Sequence, residues 1–195
     1  MSKTAKKYIE SHWVIFVAKG IVALLAGFYL TFAQHDVKTL TATIGCVLLT
    51  LGLIELLNTV FRTRKNHTWG VSVVVTLAEL VTGIIMLGVV QLPREIPLVV
   101  LSAYTIFYGV FSLMSGFRDF ANLTNKVIFI FIGILGCIVG ISILGSNMSI
   151  GDTSFIKLFG TYLMLRGICL GLYGVHSRDE RLIQIEEKEK AKANK

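Results

Sequence analysis

Charge is scarce in this chain. Asp, Glu, Lys and Arg make up 16% of its 195 residues, against about 25% in soluble domains, while 54% are hydrophobic and the mean hydropathy is +0.72. That shortage of polar surface excludes an ordinary soluble domain and indicates an integral membrane protein. Proline is scarcer still: Pro93 and Pro97 are the only two, and both fall in one predicted loop, where they break helix without kinking a span. The three cysteines, Cys46, Cys137 and Cys169, are odd in number and lack short ligand spacing. A disulfide framework and a thiolate zinc site are therefore excluded, and these residues read as small packing groups inside apolar runs. The four histidines, His12, His35, His67 and His176, are scattered near predicted interfaces; they read as solvated rings, with three on one side able to sense falling pH. No HExxH, GxSxG or phosphate-loop pattern occurs. The reading is therefore non-enzymatic, with no catalytic residues, no cofactor and no metal.

What the chain has in abundance is long apolar runs. Six can be drawn, at 13–32, 40–61, 69–90, 98–117, 127–145 and 155–174, each near the ~20 residues a helix needs to cross a hydrocarbon core. The first follows a basic segment, as a signal sequence would. It is longer than the ~7–15 residues of a signal core and contains Lys19, so it reads as a retained span. Basic residues set the orientation. Of the Lys and Arg, 3 precede the first run, 3 (Arg62, Arg64, Lys65) separate runs two and three, 2 (Arg118, Lys126) separate four and five, and 6 follow the last, whereas the alternate loops hold only Lys38 and Arg94. The bias of 14 to 2 predicts that both termini are cytoplasmic. It also explains the formal charge of +7 without invoking nucleic acid. The expected layout is a cytoplasmic lead at 1–12, a six-span domain at 13–174 and a charged cytoplasmic tail at 175–195 that prolongs the last span as a helix. The expected protein is a multi-pass one of the cell (plasma or inner) membrane whose partner is the lipid bilayer, with a homo-oligomer or a membrane partner protein left open.

The chain also repeats itself. Gly27 plus 56 is Gly83, and a further 57 reaches Gly140; Gly52 plus 57 is Gly109, and a further 58 reaches Gly167; Trp13 plus 56 is Trp69. Three repeats at about 13–65, 69–121 and 126–174 follow. The predicted fold is an all-α membrane protein whose six transmembrane helices form three repeated helical hairpins. Gly20 and Gly27 stand seven residues apart, nearly two turns, so each such pair lies on one helix face. Pairs of small residues four apart, Ala23 with Gly27, Gly136 with Gly140 and Gly167 with Gly171, let backbones approach closely in lipid. The predicted helix-packing set is Gly20, Gly27, Gly52, Gly83, Gly109, Gly140 and Gly167.

Four charges inside the runs demand partners. An ionised side chain at a span's centre costs about 2.5–3.5 kcal/mol on insertion scales, so Lys19, Glu55, Glu79 and Arg166 are expected to face the bundle interior as a buried polar site. Counted from the cytoplasmic rim at ~1.5 Å per residue they lie at depths of ~9 Å (Lys19, Glu55), ~12 Å (Arg166) and ~15 Å (Glu79), close enough to share one layer. The repeat offsets map Lys19 to Val75 and Ile132, Glu55 to Ser112 and Leu170, Glu79 to Ala23 and Gly136, and Arg166 to Tyr108 and Leu51. Each charge thus occurs in one copy only. One reading is a set of neutralising salt bridges that fixes which helices pack where; the other is a site for proton relay or an ionic substrate. Depth favours Lys19 with Glu55 and Arg166 with Glu79, and the crossed pairing stays open. Tyr104, Phe107, Tyr108, Phe111, Phe159 and Tyr162 form an aromatic cluster that lines a cavity or simply packs.

The span-opening Trp13 and Trp69, the seven packing glycines and the basic loop make about residues 12–175 resemble the HdeD-type acid-resistance membrane proteins, which belong to a wider group built from a short membrane repeat of unknown function. The third repeat departs from the pattern, with Lys126 and Val127 where the Trp would stand. The resemblance implies an inner-membrane protein linked to stress or acid tolerance, acting through its fold, an oligomer or a partner. The alternative is a small transporter or proton-linked channel that uses the buried charges.

Overall fold

A computed structural model describes residues 3–32, 36–61, 69–93, 95–118, 123–145 and 154–193. Six helices make up almost all of it: α1 (Lys3–Phe32), α2 (Val37–Phe61), α3 (Trp69–Gly88), α4 (Glu95–Arg118), α5 (Leu123–Gly145) and α6 (Ser154–Ala193). Helix is the expected outcome for apolar runs in lipid, where each backbone group must find its partner within the segment. Five helices are long and apolar enough to cross a membrane, and the chain is a multi-pass membrane protein. α3 ends at Gly88, two residues before the end of the run drawn at 69–90. The run drawn to residue 90 ends early because Val89 closes the last turn onto the Ile85 carbonyl, at 2.9 Å, and Leu92 then folds back onto Val89, at 3.0 Å.

Other boundaries move for local reasons. α2 begins three residues before the expected Leu40 because Asp36 caps it: the Asp36 carbonyl accepts from the Leu40 N–H at 3.1 Å and its carboxylate accepts from the Thr39 hydroxyl at 2.6 Å. Pro97, assigned to the loop, instead lies in the first turn of α4, where no N–H needs an intrahelical partner. The lead at 1–12 is helical from Lys3 onward, and α6 continues through Ala193. His35, His67, Arg94 and the run Arg62, Arg64, Lys65 lie outside the described residues, as do the side chains of His12 and Trp69.

The tightest packing lies between the hairpins rather than within them. The closest pairs are α1 with α6, α2 with α3 and α4 with α5, while the looser contacts α1–α2, α3–α4 and α5–α6 complete a ring. The glycines explain the alternation. A methyl group added to Gly52 would lie 3.1 Å from the Leu80 N, one on Gly109 2.7 Å from the Cys137 N, and one on Gly167 2.6 Å from the Leu24 N. These three contacts are the same contact moved along by the repeat, since 80 plus 57 is 137 and 80 minus 56 is 24. Gly83 meets Leu49, Gly140 meets Ile106 and Gly27 meets Met164 in the same way. The smooth faces therefore join one repeat to the next, with α6 closing on α1. Outward faces carry Ile21, Leu25, Phe28, Ile84, Ile141 and Leu172, all exposed and apolar, as lipid contact requires.

Gly167 and Gly171 provide an internal comparison. Both lie in α6, but a methyl group at Gly171 would meet nothing within 4 Å. Gly167→Ala is expected to lower the thermal midpoint in detergent by overpacking, at about 1–3 kcal/mol, whereas Gly171→Ala should leave it unchanged or raise it, because Ala is favoured over Gly in a helix by about 1 kcal/mol.

Candidate functional site

The ring's interior brings together all four charged residues singled out in the sequence. Lys19 of α1 is 2% exposed, Glu55 of α2 6%, Glu79 of α3 0% and Arg166 of α6 1%. The Lys19 ammonium donates to Glu79 Oε2 at 2.8 Å and to Glu55 Oε2 at 3.2 Å. Arg166 donates through one terminal nitrogen to Glu79 Oε1 and through the other to the Tyr104 hydroxyl at 2.9 Å. Both pairs that depth favours, Lys19 with Glu55 and Arg166 with Glu79, are present, and Glu79 also accepts from Lys19 and so bridges the two cations. The set is electroneutral, two cations against two carboxylates. Neutrality and the pairing of each charge with an opposite one are what make such a cluster tolerable inside a protein.

Aromatic rings finish the enclosure. The Arg166 guanidinium lies over the Tyr108 ring, 3.7 Å from its centroid, a cation–π contact strengthened by the absence of competing solvent. The Tyr104 hydroxyl is also 3.5 Å from Glu79 Oε1. Sequence reasoning had Tyr104 and Tyr108 as cavity or packing residues and missed both as partners of Arg166. One signal was present: Tyr104 plus 58 is Tyr162, so the phenols occupy equivalent places. Tyr104 reaches Glu79, and Tyr162 reaches Gly136, the position equivalent to Glu79, with its hydroxyl 3.0 Å from where a Gly136 methyl would stand. The Tyr162 hydroxyl and Arg166 Nε are buried without a hydrogen-bond partner among the described residues.

The repeat positions of the charges also point inward. Ala23, Leu51, Tyr108, Ser112, Ile132, Gly136 and Leu170 are all buried, and Val75 is partly buried. One layer of the ring is therefore polar on the α1–α2–α3–α6 side and mostly apolar on the α5 side. Thr59 and Thr76 bridge α2 and α3 one turn away, with hydroxyls 3.2 Å apart. Of the cysteines, Cys137 and Cys169 are partly buried, but Cys46 faces outward, against the expectation of a buried packing group. Among the described residues no group of three His, Cys, Asp or Glu side chains is placed to hold a metal ion.

A family model described as a short repeat of unknown function, DUF308, matches residues 14–88 and again residues 97–145. The chain belongs to this family. The two matches confirm an internal repeat and cover α1 from Val14 onward, α2, α3 and most of α4 with α5, leaving α6 outside. No curated protein and no solved structure matches the chain.

Because Glu79 serves both cations, single replacements should be worse than a matched pair. Glu79→Gln leaves two cations facing one carboxylate and Arg166→Gln leaves two carboxylates facing one cation, each expected to cost about 3–5 kcal/mol as for other broken buried pairs. The double variant keeps Lys19 with Glu55 and is expected to unfold in detergent at a higher temperature than either single variant. Single variants as stable as the wild type would show that the network contributes nothing to folding.

Proposed function

We propose that this DUF308 protein is a non-enzymatic membrane protein of the stress- or acid-tolerance type, and that its ion network acts as the assembly pin of the helix ring. The observation that carries this reading is the contrast between repeat and exception. The glycine contacts are the same at three interfaces and would allow the helices to associate in other orders, whereas each charge is present once and finds its partners in one arrangement only. Buried ionic groups are well suited to such register selection. The tolerance role follows from the resemblance to HdeD-type proteins, and the membrane involved is the cell's inner membrane with both termini on the cytoplasmic side, as the basic-residue bias implies. The closed ring leaves its outward apolar faces for lipid, a second copy or a membrane partner.

A second reading, a small transporter or proton-linked channel, is favoured by the buried Tyr162 hydroxyl and Arg166 Nε, two polar groups at the network without a hydrogen-bond partner among the described residues, which suit a water or ionic solute. The double variant Glu79→Gln with Arg166→Gln separates the two. If the network is an assembly pin, cells carrying the double variant survive an acid challenge as well as wild type. If it carries protons or ions, the variant folds but survival falls to that of cells lacking the protein, since an amide cannot titrate as a carboxylate does. Topology is tested in the same cells: in a chain freed of its native cysteines, an impermeant thiol reagent added outside should label Asn147→Cys and leave Asn66→Cys untouched.

A further inference from the structure

Two kinds of contact hold the ring together, and they fall in different places. A methyl group added to a glycine meets the backbone of the tight partner helix: from Gly20 the Gly167 carbonyl at 2.7 Å, from Gly83 the Leu49 N at 2.9 Å, from Gly133 the Leu113 N at 2.8 Å. In each case the backbone so met belongs to the same pair, α1 with α6, α2 with α3 or α4 with α5. Helices packed this closely resist displacement against each other, as dense interiors do. Two polar contacts also lie inside pairs, Thr59 with Thr76 at 3.2 Å and the Thr31 hydroxyl on Met164 Sδ at 3.8 Å.

The ion network runs the other way. Lys19 of α1 reaches Glu55 of α2 at 3.2 Å and Glu79 of α3 at 2.8 Å. Arg166 of α6 reaches Glu79, the Tyr104 hydroxyl at 2.9 Å and the Tyr108 ring at 3.7 Å, and the Tyr104 hydroxyl stands 3.5 Å from Glu79 Oε1. Each of these contacts joins two different pairs. At the centre is a triangle with one corner from each pair: Arg166 from α6–α1, Glu79 from α2–α3 and Tyr104 from α4–α5. Elsewhere the pairs meet more loosely, at α1–α2, α3–α4 and α5–α6. One ring contact, Phe129 edge-on to Tyr173 at 5.1 Å, crosses between pairs there. Loose apolar contacts tolerate small sliding, whereas a charge-assisted hydrogen bond holds one geometry.

We propose that the ring consists of three rigid helix pairs, α6–α1, α2–α3 and α4–α5, which shift against one another as units, and that the Arg166–Glu79–Tyr104 triangle with Lys19 and Glu55 is the latch that fixes their relative position. Breaking the network frees the pairs from one another and loosens none of them internally, because the glycine seams contain no member of it. The latch is distinct from the assembly and transport readings, since it concerns which helices move together once the ring has formed.

Spin labels separate motion within pairs from motion between them. In the full chain with Cys46, Cys137 and Cys169 replaced by Ala, labels go on outward apolar positions, Leu57→Cys of α2, Leu87→Cys of α3, Met114→Cys of α4 and Val175→Cys of α6, where each native side chain is at least 38% exposed. Distances are read by double electron–electron resonance in detergent. The first variant, Lys19→Met with Glu55→Gln, Glu79→Gln and Arg166→Gln, removes the network and leaves no unpaired charge. The three distances between pairs, Leu57–Val175, Leu57–Met114 and Met114–Val175, are expected to shift or broaden by about 2 Å or more, the scale of a rearrangement between rigid bodies. The Leu57–Leu87 distance, within α2–α3, should stay as in the wild type. A second variant keeps all three ion pairs and releases one helix pair only: Tyr104→Phe with Tyr108→Leu should move Met114 against both Leu57 and Val175 and leave Leu57–Val175 unchanged. Wild-type distances between pairs in the first variant, an unmoved Met114 in the second, or a changed Leu57–Leu87 distance in either refutes the latch.

Discussion

Close approach of helix backbones at glycine is the constraint on which the rest of this molecule depends. Lipid supplies no hydrophobic force between helices, so association rests on van der Waals contact over faces that fit. Gly52, Gly109 and Gly167 supply such faces on the even helices, and Gly27, Gly83 and Gly140 on the odd ones. Because the partner of each even helix is the next odd helix, the tight seams lie between repeats. The last seam, α6 on α1, closes the ring, and closure gives the chain an interior.

An interior in a membrane protein must be filled, and this one is filled in two ways. The half toward Val37 and Gly88 is packed with Leu, Ile and Phe side chains. The layer below it holds two cations and two carboxylates, whose desolvation is tolerable because Glu79 accepts from Lys19 and Arg166 and because Tyr108 covers the guanidinium. Tyr104 ties this layer to α4. Gly136 stands where the repeat has Glu79, and the Tyr162 hydroxyl approaches the space so released. The network is therefore confined to one side of the ring.

Most of the secondary structure was legible beforehand because apolar length and helix hydrogen bonding leave few alternatives in a bilayer. Two boundaries shift where a local group intervenes, the Asp36 cap at α2 and Pro97 in the first turn of α4. The charged residues of the site were legible for a similar reason, since an ion inside an apolar run must face inward. Tyr104 and Tyr108 were not, because an aromatic ring at helical spacing packs equally well against lipid, and only a neighbouring guanidinium turns its hydroxyl or its face into a partner.

By itself the sequence determined the number of helices, their membrane character, the period of the repeat and the identity of the residues that cannot face lipid, because each of these is a property of one segment and its solvent. Tertiary structure alone decided which helix faces meet. Loop length makes neighbours antiparallel but does not make them the closest pair, and nothing local tells α6 to close on α1. The same holds for the bridging role of Glu79, which depends on Lys19 and Arg166 arriving from helices 60 and 87 residues away.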